Sequence, residues 1–119
     1  MNIETLYPLV TDTIRYAEML ERRGPGQADQ AYLEVSLLEE QIAGLLPVTD
    51  PEGMIARRGA VSAAISGHDF ERAQELATRF LVECDVNRSL STDFARLLAQ
   101  AQNMADGDNL VTPPLGSRR

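Results

Sequence analysis

Between Ile55 and Cys84 the chain reads IARRGAVSAAISGHDFERAQELATRFLVEC. A run of small residues is broken at Gly67-His68-Asp69, and then Phe70, Ala73, Leu76, Ala77, Phe80 and Cys84 follow at three- and four-residue steps. That spacing sets the last six on one face of a helix. Small side chains before the break let a second backbone come close. The stretch therefore predicts two helices folded back on each other, and the rest of the chain reads as further helices of the same kind.

A first helix is expected over about residues 4–22, with Ile3, Leu6, Val10, Ile14, Ala17 and Leu20 on one face. Glu18 and Arg22 have the order that favours an ion pair across one turn. Pro8 is harmless only in a first turn, which makes Thr5 the expected cap; a start at Asn2 would put Pro8 inside the helix and kink it. Gly24-Pro25-Gly26 ends the helix.

The second helix, over about residues 27–46, has the widest apolar surface. Ala28, Ala31, Val35, Leu38, Ile42 and Leu45 form a stripe that Leu33, Leu37 and Leu46 broaden. Such a helix is either contacted on several sides or keeps one edge for docking. Pro47 closes it. Thr49 with Glu52 matches a capping box, while Asp50-Pro51 matches an N-cap followed by Pro at the first helical position, so a third helix starts there on either reading. Gly67 is expected to end it with a positive φ, and Asp69 or His68 to cap the fourth, where Glu75 and Arg79 pair outward.

A fifth helix over about residues 91–105, capped by Ser89 or Ser91, turns Phe94, Leu97, Leu98, Ala101 and Met104 inward and ends at Asp106-Gly107-Asp108. The expected fold is all-α: a compact antiparallel bundle of four to five helices over residues 1–106, with a disordered tail over 107–119.

Composition narrows the chemistry. All 11 basic residues are Arg, set against 18 acidic ones, for a net charge of -7. Without Lys there is no Schiff-base enzyme and no phosphate-binding loop ending in Lys-Ser or Lys-Thr. The acidity argues against direct nucleic-acid binding, which rests on basic side chains. A single Cys precludes an internal disulfide, no basic leader opens the chain, and no apolar run approaches the roughly 18 residues of a membrane span. No membrane partner and a cytoplasmic location are the expectation.

No catalytic, cofactor or metal set stands out. One His and one Cys cannot make a zinc site. His68 and Cys84 lie at opposite ends of one predicted helix, about 24 Å apart at 1.5 Å per residue, too far for a nucleophile and its base. Cys84 reads as a buried, inert thiol and His68 as a turn residue. Glu34, Glu39 and Glu40 read as a solvated face lacking a Glu-x-x-His partner. Two Arg dyads remain, Arg22-Arg23 and Arg57-Arg58. The second lies in the small-residue helix and suits an acidic segment of another protein, because the guanidinium fork matches carboxylates.

Gly67-His68-Asp69-Phe70-Glu71-Arg72-Ala73, preceded by the Ala-rich helix, resembles the central turn of a tetratricopeptide-type helical hairpin. That motif places small residues on its first helix, Gly-Asp and an aromatic at the turn, and Ala early in the second. The likeness spans residues 56–84 and occurs once, without the Trp or Tyr of the first helix or the closing Pro. It implies an antiparallel hairpin and, at the family level, a protein-binding scaffold. Ala63-x-x-x-Gly67 also has the spacing of a DNA-binding helix-turn-helix, but Ser62, Ser66 and His68 occupy apolar positions of that motif. Asp69, Glu71 and Glu75 would repel phosphate from its recognition helix.

By elimination the sequence points to a small acidic interaction module, an adaptor or accessory subunit with a protein partner; a bacterial defence or signalling assembly is one setting. Leu33, Leu37, Arg57 and Arg58 are the candidate contacts. A leftover apolar face suits a second copy of the chain equally, giving a homodimer. Two other classes stand behind this one: an acidic mimic of nucleic acid that inhibits a DNA-binding machine, and a ligand-binding bundle with a pocket at Tyr16 or Tyr32.

Overall fold

The computed structural model describes residues 2–84 and 88–110, and the side chains of all of these except 88–91 and 107–110. They form five helices and, among the described residues, no strand: α1 (Ile3–Glu21), α2 (Asp29–Leu45), α3 (Pro51–Ser66), α4 (Phe70–Glu83) and α5 (Arg88–Leu110). Each helix packs antiparallel on the next, and α3 also touches α5. Side chains complete two further links. Tyr7 on α1 donates to Glu52 on α3 at 3.3 Å, and Arg72 and Arg79 on α4 both reach Glu40 on α2. Odd-numbered helices thus occupy one side and even-numbered helices the other, in a slab 47 × 35 × 17 Å. None of the helices is long and apolar enough to cross a membrane, among the described residues.

The helix ends show which start signals operate. Asn2, not Thr5, caps α1: its side chain accepts from the Thr5 amide at 2.9 Å and the Thr5 hydroxyl at 3.0 Å. Pro8 consequently lies inside α1 rather than in its first turn. Asp50 caps α3 by accepting from the Glu52 amide at 2.8 Å, with Pro51 at the first helical position, so the capping-box reading from Thr49 gives way. Leu46 ends α2 in extended geometry, as the residue before a proline is driven to do.

At the α3–α4 turn the positive φ belongs to His68 (62°), while Gly67 has φ -85°. Gly67 is needed for another reason. A Cβ there would stand 2.9 Å from the Asp29 carbonyl oxygen and 3.0 Å from Leu33, so α2 and α3 could not close. His68 Nδ1 lies 2.9 Å from Asp29 Oδ1, holding the turn against the start of α2. Asp69 caps α4 by accepting from the Arg72 amide at 3.0 Å.

In the core, all six members of the α4 stripe are buried, and Leu6, Val10 and Ala17 are buried on the expected face of α1. On α2 the buried arc is rotated from the expected one. Ser36 and Ala43 are buried, whereas Leu45 and Leu37 are about half exposed. Phe94 and Ala101 are fully buried on α5, but Met104 is exposed. That helix also begins earlier, at Arg88, and runs through Asp106-Gly107-Asp108 to Leu110. The expected tail therefore loses its first four residues to α5, and the remainder, with Arg118-Arg119 and the Val86-Asn87 link, lies outside the described residues, as do the Ser89 and Ser91 side chains.

Candidate interaction surface

The four candidate contacts take different places. Leu37 is 51% exposed on the outer side of α2. Leu33 is only partly exposed, its side chain packed against Gly67 at the C-terminal end of α3. Arg57, expected on the surface, is 5% exposed. Its Nε donates to Glu83 at 2.7 Å, its Nη1 donates to the Gly53 carbonyl at 3.0 Å, and its guanidinium lies 5.7 Å from the Phe80 ring centre. As placed, Arg57 is occupied within the chain and does not present a free guanidinium. Arg58 is exposed and turned toward α5, where it meets Asp93 at 3.3 Å.

Around Arg57 the even-numbered side opens into a cleft of about 230 Å³, lined by Glu40, Ala43 and Gly44 of α2, Arg57 of α3, and Arg79, Phe80 and Glu83 of α4. The lining is tied together by polar contacts. Arg72 donates to Glu40 at 2.7 Å and to the Ser36 hydroxyl at 3.0 Å, and Ser36, fully buried, donates in turn to the Ala60 carbonyl at 2.7 Å. Arg79 donates to the other Glu40 oxygen and lies 5.4 Å from the Phe80 ring, where a guanidinium is attracted by the ring face. Partial burial would raise the Glu40 pKa, but the hydrogen bonds and charges of Arg72 and Arg79 outweigh it and hold the group below its ordinary value. Arg79 thus pairs with Glu40 and not with Glu75, and Glu18–Arg22 is not among the ion pairs formed by the described residues.

Gly44 forms the open wall of this cleft. A Cβ built there meets nothing within 4 Å. Leu37, Glu40 and Gly44 stand at i, i+3 and i+7, so they share one helix face.

The expected solvated face of three glutamates is corrected at two of them. Glu34 is exposed, but Glu39 and Glu40 are half-buried. Glu39 falls at the centre of the inward arc of α2, and its carboxyl lies over Gly59 on the odd-numbered side. Burial without a compensating charge raises its pKa to about 7. Cys84 is fully buried, its Sγ 4.0 Å from the Met54 sulfur, and burial pushes its thiol pKa up. Tyr16 is exposed. Tyr32 donates to Glu21 at 2.9 Å beside an open surface pocket that also borders Arg22, Arg23, Ser66 and His68.

Neither the pattern of types nor the periodicity signalled Ser36 as a buried link. The legible signals were Gly44, a glycine in the last turn of an apolar helix, and Glu39, a carboxylate on the helix's inward arc. No known protein family, no characterised protein and no solved structure matches the chain.

Proposed function

We propose that the protein is a small interaction module that binds a partner protein along α2, with the cleft between α2 and α4 receiving a partner side chain. The observation that carries this reading is Gly44. A glycine costs a helix up to about 1 kcal/mol against alanine, the full cost being that of an interior position and Gly44 standing in the last turn of α2. Among the described residues nothing lies within 4 Å of a Cβ built on this one, and Gly44 lines the cleft. Leu37 and Leu45, both about half exposed, supply apolar surface along the same helix. Exposed carboxylates occur on every helix, from Glu4 on α1 to Asp106 on α5, so acidity does not single out one element for the nucleic-acid-mimic reading.

The test is affinity capture from the native lysate at low and high salt, using wild type, Gly44→Ala and Gly44→Trp. The indole would fill the cleft, whereas the methyl leaves most of it open. One protein held at high salt by wild type and Gly44→Ala but lost by a folded Gly44→Trp supports the reading. Capture of nothing specific by any of the three would sink it.

A further inference from the structure

We propose that the face opposite the cleft is a second docking surface, built where the Glu39 side chain lies over Gly59 between Tyr7 and Ile55, and that it takes an arginine or lysine from a basic segment of a partner protein. This goes beyond the cleft reading and does not depend on it. Arg57 lines the cleft and Gly59 does not; two residues along a helix turn the direction by about 200°, so the two sites face opposite ways.

The geometry starts at the glycine. A Cβ on Gly59 would stand 2.3 Å from Glu39 Oε2 and 2.8 Å from its carboxyl carbon. The side chain of Glu39 therefore lies flat on bare backbone, a position that any other residue at 59 would deny it. Like Gly44, Gly59 costs helix stability. Here the space is filled by a carboxylate.

Among the described residues that carboxylate has no cation partner of the kind its burial calls for. The described arginines of α3 and α4 are engaged elsewhere: Arg57 with Glu83, Arg58 with Asp93, and Arg72 and Arg79 with Glu40. A half-buried carboxylate with no cation beside it disfavours its own charge, which accounts for its elevated pKa. An incoming guanidinium or ammonium restores the missing half of the pair.

The flanks fit the same side chain. Ile55, one turn before Gly59 on the exposed stripe of α3, is 51% exposed, and Tyr7 is exposed where it reaches across to Glu52. Lys and Arg carry apolar stems that pack on such residues while the charged head reaches a carboxylate. Burial first, and then the charges of Glu52, Asp50 and Glu39, raise the Tyr7 pKa. All three acids thus lie within electrostatic reach of one hydroxyl, and the surface repels an acidic segment as it attracts a basic one.

The probe is the peptide acetyl-Leu-Arg-Leu-amide, with its citrulline counterpart as the uncharged match, titrated into the full chain and followed by NMR. The expected result is that the arginine peptide shifts the Tyr7, Ile55 and Gly59 amides and moves the Glu39 titration down from about 7. The citrulline peptide should do neither, and folded Glu39→Gln should bind the arginine peptide about tenfold more weakly. Equal effects of the two peptides, or unchanged binding by Glu39→Gln, overturns the proposal. Loss of the response in Gly44→Trp would also overturn it, by placing the peptide in the cleft, and would leave the cleft reading standing.

Discussion

Arg57 and Glu83 form an ion pair whose two ends sit in different surroundings, and the difference can be measured. The Arg57 side chain is 6% exposed and that of Glu83 is 42% exposed, with 2.7 Å between Nε and Oε1. Removing the arginine frees a carboxylate that water already reaches. Removing the glutamate strands a cation inside the fold with the Gly53 carbonyl as its remaining hydrogen-bond acceptor. Arg57→Met keeps most of the stem packing and loses the bonds to Glu83 and the Gly53 carbonyl and the stacking on Phe80; because water takes up the exposed Glu83 carboxylate, the cost is about 1 kcal/mol. Glu83→Ala leaves a buried charge unpaired, which costs about 3 kcal/mol or more when the site is dry. Arg57 borders the cleft, where solvent screens it, so about 2 kcal/mol is the better expectation. Urea unfolding followed by circular dichroism gives both numbers, provided the slope against denaturant is unchanged. Arg57→Met costing as much as Glu83→Ala would refute the reasoning, since the penalty would then follow the lost contact and not the stranded charge.

The glycines of the α2–α3 pair should respond to one substitution with opposite signs. Gly44→Ala meets open space and should stabilise by about 0.5–1 kcal/mol, whereas Gly67→Ala drives a methyl to 2.9 Å from the Asp29 oxygen and should destabilise by about 1–3 kcal/mol. Thermal unfolding ranks the two, and a stabilised Gly67→Ala would contradict the packing described. Glu39 predicts a pH effect. Its pKa in the fold, about 7, lies above the ordinary 4.5, so the stability it contributes is complete below 4.5 and is lost as pH rises through 7. Glu39→Gln should therefore be the more stable variant at about pH 8, with the advantage gone by about pH 4; a constant difference across that range would remove Glu39 as its source. Cys84, sealed in the core, should react with thiol reagents only as fast as the protein unfolds, and rapid labelling under native conditions would place it elsewhere.

What could be read in advance divides along a physical line. The α4 stripe was legible because that helix has one buried side, and its apolar residues have no other place to go. α2 was harder. It packs against α1 and α3 and meets α4 through side chains, so its inward arc is wide and its margins are set by neighbours. Spacing alone placed Leu45 in the core, where the fold instead buries Ser36 and satisfies its hydroxyl with the Ala60 carbonyl. Polar burial of this kind depends on a partner 24 residues away in the chain, which no local pattern encodes. The same holds for Arg57, whose carboxylate comes from α4, and for Arg79, which prefers Glu40 to its helical neighbour Glu75. The turn at His68 was located correctly but its mechanism was not: the tight approach of α2, rather than a positive φ, is what Gly67 serves.

The way α1 is attached has a consequence for how cooperative the molecule is. Its backbone packs on α2 alone, whereas α3 is held by α2, α4 and α5. It joins α2 through a loop whose Gly24 and Gly26 have φ 142° and 80°, in a region of backbone space that glycine enters without strain. Much of its contact near that loop is alanine on alanine, through Ala17, Ala28 and Ala31, which bury little area each. Opening α1 breaks one backbone interface and withdraws Leu6 and Val10 from the core and Tyr7 from Glu52, while opening α3 breaks three backbone interfaces. α1 is accordingly expected to open before α3, and faster native-state hydrogen exchange of α1 amides than of α3 amides is the measurement that checks it.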